Sequence, residues 1–109
     1  MTLWEMLDNT LYYGNVIIYL RNAYDQCVKV FSGTVQEARE EGYDVWDCLP
    51  YEVDQWICGN KIALIYVKHY DYENRLENSY SNSDKWTKEQ KPYKSSYEVR
   101  KELENWCID

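Results

Sequence analysis

Four cysteines and one histidine are the residues of this chain that could hold a metal ion. They are Cys27, Cys48, Cys58, His69 and Cys107, and their number would satisfy a zinc ion. A structural zinc site usually contains a close Cys-x₂₋₄-Cys pair, and no two cysteines of this chain are so close. Two of them fall in predicted strands and one on an apolar helix face, where cysteine packs as a small hydrophobe. The spacing therefore favours free thiols and no cofactor, with a zinc-stabilised domain as the alternative.

Nucleophilic catalysis would need an activated cysteine, and Cys48 with His69 is the pair to consider. Cys48 lies in a loop beside Asp44 and Asp47, whose negative charge disfavours a reactive thiolate. The many carboxylates form no D-x-D or E-x-x-H pattern, and the four glycines form no phosphate-binding loop. We therefore expect a protein that is not an enzyme.

The strongest signal is a run of carboxylates mixed with aromatic residues at positions 35–54, here called the acidic segment. Arg39 is its single cation. Such a segment either stays solvated or meets a strongly positive partner, and its aromatic residues favour a partner. The residues predicted to bind that partner are Glu37, Glu40, Glu41, Tyr43, Asp44, Trp46, Asp47, Glu52 and Asp54.

The spacing of the first carboxylates predicts how they would be displayed. Glu37, Glu40 and Glu41 share one face of a predicted helix, because residues three and four apart are neighbours on a helix. A solvated helix face is the plain interpretation. The sharper hypothesis is a surface whose carboxylates take the places of phosphates in the basic groove of a nuclease, anchored by tyrosine and tryptophan.

Composition restricts the possible partners. The chain has 109 residues, enough for one domain, and a formal net charge of −7. This charge argues against direct binding to nucleic acid or to an anionic membrane surface. The chain has twelve tyrosines, five tryptophans and one phenylalanine. Aromatic residues with a polar tip suit partly exposed positions, either on a binding surface or over sheet edges. The sequence also allows a homodimer.

The N-terminal residues carry no basic and apolar regions of a secretory signal, and no apolar run is long enough to span a membrane. We therefore expect a cytoplasmic protein with reduced cysteines.

The elements that would position these residues begin with three capping boxes, Thr2/Glu5, Thr34/Glu37 and Ser95/Glu98. The first predicts a short helix with Leu3, Met6 and Leu7 on its apolar face. The second predicts a helix ended by Gly42, and the third a helix with Val99, Leu103, Trp106 and Cys107 on one face. A further short helix is predicted from the spacing of Tyr72, Leu76 and Tyr80, followed by a basic stretch with Lys85, Lys88, Lys91 and Lys94.

Four apolar runs predict strands. They cover residues 16–20, 27–31 (ended by Gly33), 51–58 and 61–68. Gly59-Asn60 between the last two runs indicates a tight hairpin. The last strand is apolar on both faces, which places it centrally in its sheet. The prediction is one α+β domain over residues 1–109, with a four-stranded antiparallel sheet covered by short helices.

Several stretches carry a resemblance to short proteins of phages and conjugative elements of gut Firmicutes. They are MTLWEML (1–7), TLYY (10–13), NAYDQ (22–26), FSGTV (31–35), YEVD (51–54), YENRLE (72–77) and KW (85–86). Such small acidic proteins are similar in type to anti-CRISPR proteins. The resemblance implies a non-enzymatic inhibitor that binds a host protein, a CRISPR effector nuclease of type II being favoured. The alternative is a small interaction or regulatory module of the mobile element. The cysteines and the basic stretch depart from a pure DNA mimic.

Overall fold

The computed structural model describes residues 1–9, 14–40, 50–58, 62–70, 72–75 and 93–106. Within these ranges the chain forms three helices and four strands. In chain order they are α1 (Leu3–Asn9), β1 (Asn15–Arg21), β2 (Cys27–Thr34), α2 (Val35–Glu40), β3 (Val53–Cys58), β4 (Ile62–Lys68) and α3 (Ser96–Trp106). The predicted α+β class is confirmed.

Each of these helices begins with a capping box, as the sequence predicts. In the pairs Thr2/Glu5, Thr34/Glu37 and Ser95/Glu98, the hydroxyl oxygen accepts a hydrogen bond from the backbone N–H of the glutamate. This bond satisfies one of the N–H groups that the first turn of a helix leaves without a partner. The starts of the helices are therefore fixed by local sequence.

The sheet has the strand order β2-β1-β4-β3 and is mixed. β1 is antiparallel to β2 and β3 is antiparallel to β4, but β1 and β4 are parallel and pair from Asn15 with Ile62 to Arg21 with Lys68. The prediction of a purely antiparallel sheet is therefore wrong. Five consecutive residues are buried in each of the two central strands, which is typical of parallel strands covered on both faces.

Alternation along the two central strands divides the core into two layers. Val16, Ile18 and Leu20 of β1 contribute to a cluster with α1 and α2, which cover one face of the sheet, here called the α1/α2 face. Ile17 and Tyr19 point to the opposite face and pack in a second cluster that includes Val99 of α3, here called the α3 face. Leu3, Met6 and Leu7 are buried as predicted. β4 is central, also as predicted.

A β-bulge interrupts the pairing of the edge strand β3. Val53 pairs with Val67, but Gln55 pairs with Tyr66, so Asp54 is the extra residue. A bulge re-aims a side chain and bends an edge strand. In this protein it directs the Asp54 carboxylate toward Arg21 at the end of β1.

Both edge strands gain one bridging residue at the end of the sheet where β1 and β4 finish. Thr2 bridges to Glu52 just before β3, and Lys94 bridges to Cys27 at the start of β2. The Val53 N–H donates to the Met1 carbonyl at 2.8 Å, and the Cys27 N–H donates to the Lys94 carbonyl at the same distance. These contacts cover part of each edge, which would otherwise offer unpaired backbone groups.

Other details differ from the predictions. β2 continues through Gly33, which pairs with Val16, and ends at Thr34. Tyr72 lies in a turn and not in a helix. β3 and β4 are consecutive antiparallel strands, as a hairpin requires, with Cys58 opposite Ala63. Several predictions fall on residues outside the described ranges, namely Gly42, Gly59-Asn60, Leu76, Tyr80, Lys85, Lys88, Lys91 and Cys107.

Candidate partner-binding site

Four of the nine residues predicted to bind a partner are described, and they occupy two places. Glu37 and Glu40 belong to α2, whereas Glu52 and Asp54 lie at the start of β3. The other five, Glu41, Tyr43, Asp44, Trp46 and Asp47, lie outside the described ranges. The structure therefore does not bring the described members of the acidic segment into one cluster.

The carboxylates of α2 point to solvent because Val35 and Ala38 occupy its buried side. The Glu37 carboxylate accepts a hydrogen bond from the Thr34 hydroxyl at 3.0 Å, which fixes its orientation. Glu40 is exposed one turn later. α2 thus holds two carboxylates on one outward side, as the spacing predicts.

The neighbouring helix α1 extends this acidic surface. Glu5 and Asp8 of α1 are exposed, and the Arg39 guanidinium of α2 reaches Asp8 at 3.0 Å. We call Glu5, Asp8, Glu37 and Glu40 the acidic face; Arg39 is the one cation in the sequences of α1 and α2. Trp4 stands on the same helix and is half exposed. Glu5 and Asp8 were not predicted as part of this surface, because only the tertiary contact between Asp8 and Arg39 joins α1 to α2.

Asp54 does not belong to this surface. The Arg21 guanidinium donates to Asp54 from Nη1 and to Asp25 from Nε, each at 2.7 Å. Glu52 is exposed but has a loose ion pair with Lys68 at 3.5 Å. The acidic segment is therefore partly neutralised by cations from distant positions in the sequence, which sequence reasoning did not provide.

Asp25 links this ion pair to the start of α3. Its second carboxylate oxygen accepts hydrogen bonds from the Ser96 N–H at 3.2 Å and the Ser96 hydroxyl at 3.1 Å. Asp25 has a positive φ of 60°, a conformation that Asp tolerates better than most residues. We call Arg21, Asp25, Asp54 and Ser96 the polar junction. It joins β1, the bulge of β3 and the first turn of α3.

The charge of Asp25 stabilises the fold at neutral pH. Partial burial opposes ionisation, but the hydrogen bonds from Arg21 and Ser96 outweigh it and lower the pKa of Asp25 below 3.8. A carboxyl whose pKa is lowered by folding contributes stability above its unfolded pKa, and this contribution is lost as the pH falls through the folded value. The junction thus holds its carboxylates in ion pairs, an arrangement suited to structure.

Asn22, a buried polar residue beside the junction, uses both its amide oxygen and its amide nitrogen in hydrogen bonds. The Asn22 side chain accepts hydrogen bonds from the N–H groups of Tyr24 and Gln26 and donates to the Asn74 carbonyl. These bonds fix the turn between β1 and β2 and attach it to the chain after β4. Asn22 is completely buried, so its hydrogen bonds offset the cost of removing an amide from water.

The described cysteine and histidine side chains with a recorded environment, Cys27 and His69, are both buried. Cys27 is buried, and burial raises the pKa of its thiol to about 12, which keeps it protonated. His69 is buried at the end of β4, with its ring against Tyr70 at 4.2 Å. Cys48 lies outside the described ranges. In the part of the chain that is described, no three potential metal ligands lie together.

Comparison with known proteins assigns no relative. No protein family, curated protein or solved structure matches this chain. None of the described helices is long and apolar enough to cross a membrane. Arguments about function therefore depend on the surface chemistry of this chain itself.

Proposed function

We propose that this protein is a non-enzymatic inhibitor that binds a host defence nuclease, a type II CRISPR effector by preference. The observation that supports the proposal is the acidic face, on which four exposed carboxylates of two adjacent helices stand against one arginine. A nuclease of this class holds its heteroduplex in a positively charged channel and reads the adjacent motif with arginines. A surface of this charge could compete for either place.

The acidic face has properties that suit such competition. Capping boxes orient Glu5 and Glu37, so little side-chain freedom is lost on binding. Half-exposed Trp4 supplies an aromatic anchor among the carboxylates, and tryptophan is among the residues enriched at binding hot spots. Glu41, Asp44 and Asp47 follow α2 in the sequence, and with Tyr43 and Trp46 they remain predicted partner-binding residues. Binding by opposite charges predicts fast association that weakens as salt rises.

The test is cleavage of target DNA by a purified type II effector loaded with guide RNA, with and without this protein. We expect the wild-type protein to abolish cleavage at near-stoichiometric ratio. The double variant Asp8→Lys/Glu40→Lys should raise the concentration for half-inhibition about tenfold or more, since two charge contacts become repulsive.

A matched control carries the same change of charge elsewhere. Glu73→Lys/Glu102→Lys reverses two exposed carboxylates outside the acidic face and should inhibit like the wild type. Equal weakening by both double variants would show that only net charge matters. Undisturbed cleavage with wild-type protein would exclude that effector.

The second candidate is a small interaction or regulatory module of a mobile element. Affinity capture from host lysate separates the two. Recovery of an effector nuclease, lost with Asp8→Lys/Glu40→Lys, supports the inhibitor; recovery of element-encoded proteins alone supports the module.

A further inference from the structure

A second surface with binding chemistry surrounds the polar junction. Four tyrosines, here called the tyrosine rim, lie at the end of the sheet where β1 and β4 finish. They are Tyr24 in the turn after β1, Tyr70 and Tyr72 after β4, and Tyr97 in the first turn of α3. Tyr24, Tyr70 and Tyr97 are 49%, 43% and 64% exposed. The Ala23 N–H donates to the Tyr72 carbonyl at 2.7 Å, which joins the turn that carries Tyr24 to the chain at Tyr72.

Cations are held over three of these rings. The Arg75 guanidinium lies 4.8 Å from the ring centre of Tyr24, and the Lys101 ammonium lies 5.0 Å from that of Tyr97. Lys68 stands over Tyr72 at 5.7 Å. Arg75 and Lys101 are exposed and have no carboxylate within ion-pair distance among the described residues. The rim therefore presents positioned cations on an aromatic surface.

This composition fits a protein better than a nucleic acid. Bases stack on open aromatic rings, whereas cations already stand over the rings of the rim. The rim offers three separate cations, whereas affinity for nucleic acid comes from cations that neutralise a row of phosphates. Tyrosine and arginine are enriched among the residues that dominate protein–protein binding, and tyrosine loses little entropy when it is fixed.

The acidic face of this same chain has the complementary chemistry. It offers exposed carboxylates around half-exposed Trp4, which match cations arranged around tyrosines. It lies over the α1/α2 face, whereas the rim lies at the strand ends and on α3 of the opposite face.

We propose that the tyrosine rim of one molecule binds the acidic face of a second copy, so that the protein associates head to tail. Such an interface is heterologous, because two different patches meet and each molecule keeps one of them free. The inference does not rest on the proposed nuclease inhibition. It adds that self-association and a nuclease would compete for the acidic face.

The test is the mass of the purified protein in solution, measured by sedimentation velocity from low micromolar to near-millimolar concentration. We expect the average mass of the wild type to rise with concentration. The rim variant Arg75→Glu/Lys101→Glu and the face variant Asp8→Lys/Glu40→Lys should each stay monomeric, with unchanged circular dichroism. The control Lys29→Glu, on β2, should associate like the wild type, whereas Arg75→Glu alone should weaken association about tenfold.

Mixing the two double variants distinguishes this interface from others. One variant keeps an intact face and the other an intact rim, so an equimolar mixture should form a one-to-one dimer that grows no further. A mixture that stays monomeric, a wild type that is monomeric throughout, or association of the rim variant like the wild type overturns the proposal. If the protein proves monomeric but a single-stranded oligonucleotide binds the wild type and not the rim variant, the rim is a nucleic-acid site instead.

The same samples separate this inference from the proposed function. The mass measurement contains no nuclease, and the cleavage assay is run at concentrations where the protein is monomeric. Self-association without inhibition leaves the head-to-tail interface standing alone. Inhibition by a protein that is monomeric throughout removes the interface only.

Discussion

The two faces of the sheet are built from the same two central strands but have different chemistry. Toward α1 and α2, β1 contributes Val16, Ile18 and Leu20, all aliphatic and completely buried. Toward α3 lie Tyr19, Tyr66 and Cys27, and next to them the polar junction. Period-two alternation allows one strand to serve both layers. The α1/α2 face is held by burial, and the α3 face also by directed hydrogen bonds.

The two faces of the sheet also differ in the groups that they present to solvent. Among the described residues, the buried members of the cluster on the α1/α2 face are all apolar, and the outer sides of α1 and α2 carry carboxylates. The α3 face must satisfy buried hydroxyl groups, and the Tyr66 hydroxyl donates to the Ser96 carbonyl at 3.2 Å. Its charged groups at the junction are occupied in holding the fold together.

We expect the largest loss of stability from a substitution in the aliphatic cluster on the α1/α2 face. Ile18→Ala removes a fully buried side chain and should lower the free energy of unfolding by about 3–4 kcal/mol, because transfer and cavity terms add. Ile62→Ala, at a half-buried position of the α3 face, should cost less than half as much. Urea unfolding midpoints measure both. Equal losses would show that half-buried Ile62 contributes as much to stability as fully buried Ile18.

We expect a smaller loss of stability when the ion pairs of the polar junction are removed. Arg21→Leu leaves Asp25 and Asp54 facing each other without their shared cation, at a partly buried place. We expect a loss of about 2 kcal/mol, below the cost for a fully buried pair because water screens the site. Arg39→Leu, at the exposed ion pair with Asp8, should cost under about 1 kcal/mol. A similar cost for both arginines would show that the junction adds nothing beyond a surface pair.

A third prediction concerns the Tyr66 hydroxyl of the α3 face and the pH dependence of stability. Tyr66→Phe deletes the hydrogen bond from the Tyr66 hydroxyl to the Ser96 carbonyl and should cost about 1 kcal/mol at neutral pH, whereas exposed Tyr97→Phe should cost almost nothing. Burial raises the pKa of Tyr66 from 10.0 to about 12, and the pKa values of Tyr19 and Cys27 also to about 12.

A group whose pKa is raised by folding stabilises the protein below its unfolded pKa, and this stability is lost as the pH rises through the folded value. Wild-type stability should therefore fall between about pH 9, where unfolded thiols ionise, and pH 12. Tyr66→Phe should reduce that slope, which urea unfolding at stepped pH with phenolate absorbance would show. A slope unchanged by Tyr66→Phe would remove Tyr66 from the alkaline transition.

Local features of the fold could be read from the sequence, and long-range ones could not. The capping boxes, the strand runs and the central place of β4 depend on neighbouring residues, and these predictions are confirmed. The parallel pairing of β1 with β4 joins distant segments, and the apolar runs permit either direction. Their burial on both faces was the available signal.

The candidate site also has features that follow from local sequence and features that depend on tertiary contacts. The outward carboxylates of α2 followed from helical spacing. The contribution of α1 and the neutralisation of Asp54 by Arg21 depend on tertiary contacts, since Asp8 meets Arg39 and Arg21 meets Asp54 only in the folded chain. A residue's charge is visible in the sequence, but its partner is not.

The parallel seam between β1 and β4 has a kinetic consequence. β1 with β2, and β3 with β4, are pairs of strands close in sequence, whereas the seam joins strands separated by β2, α2 and β3. Closing a loop of that length costs entropy before the pairing rewards it. We therefore expect pairing along the seam to limit the rate of folding, because it has to bring together two pairs of strands that are each close in sequence.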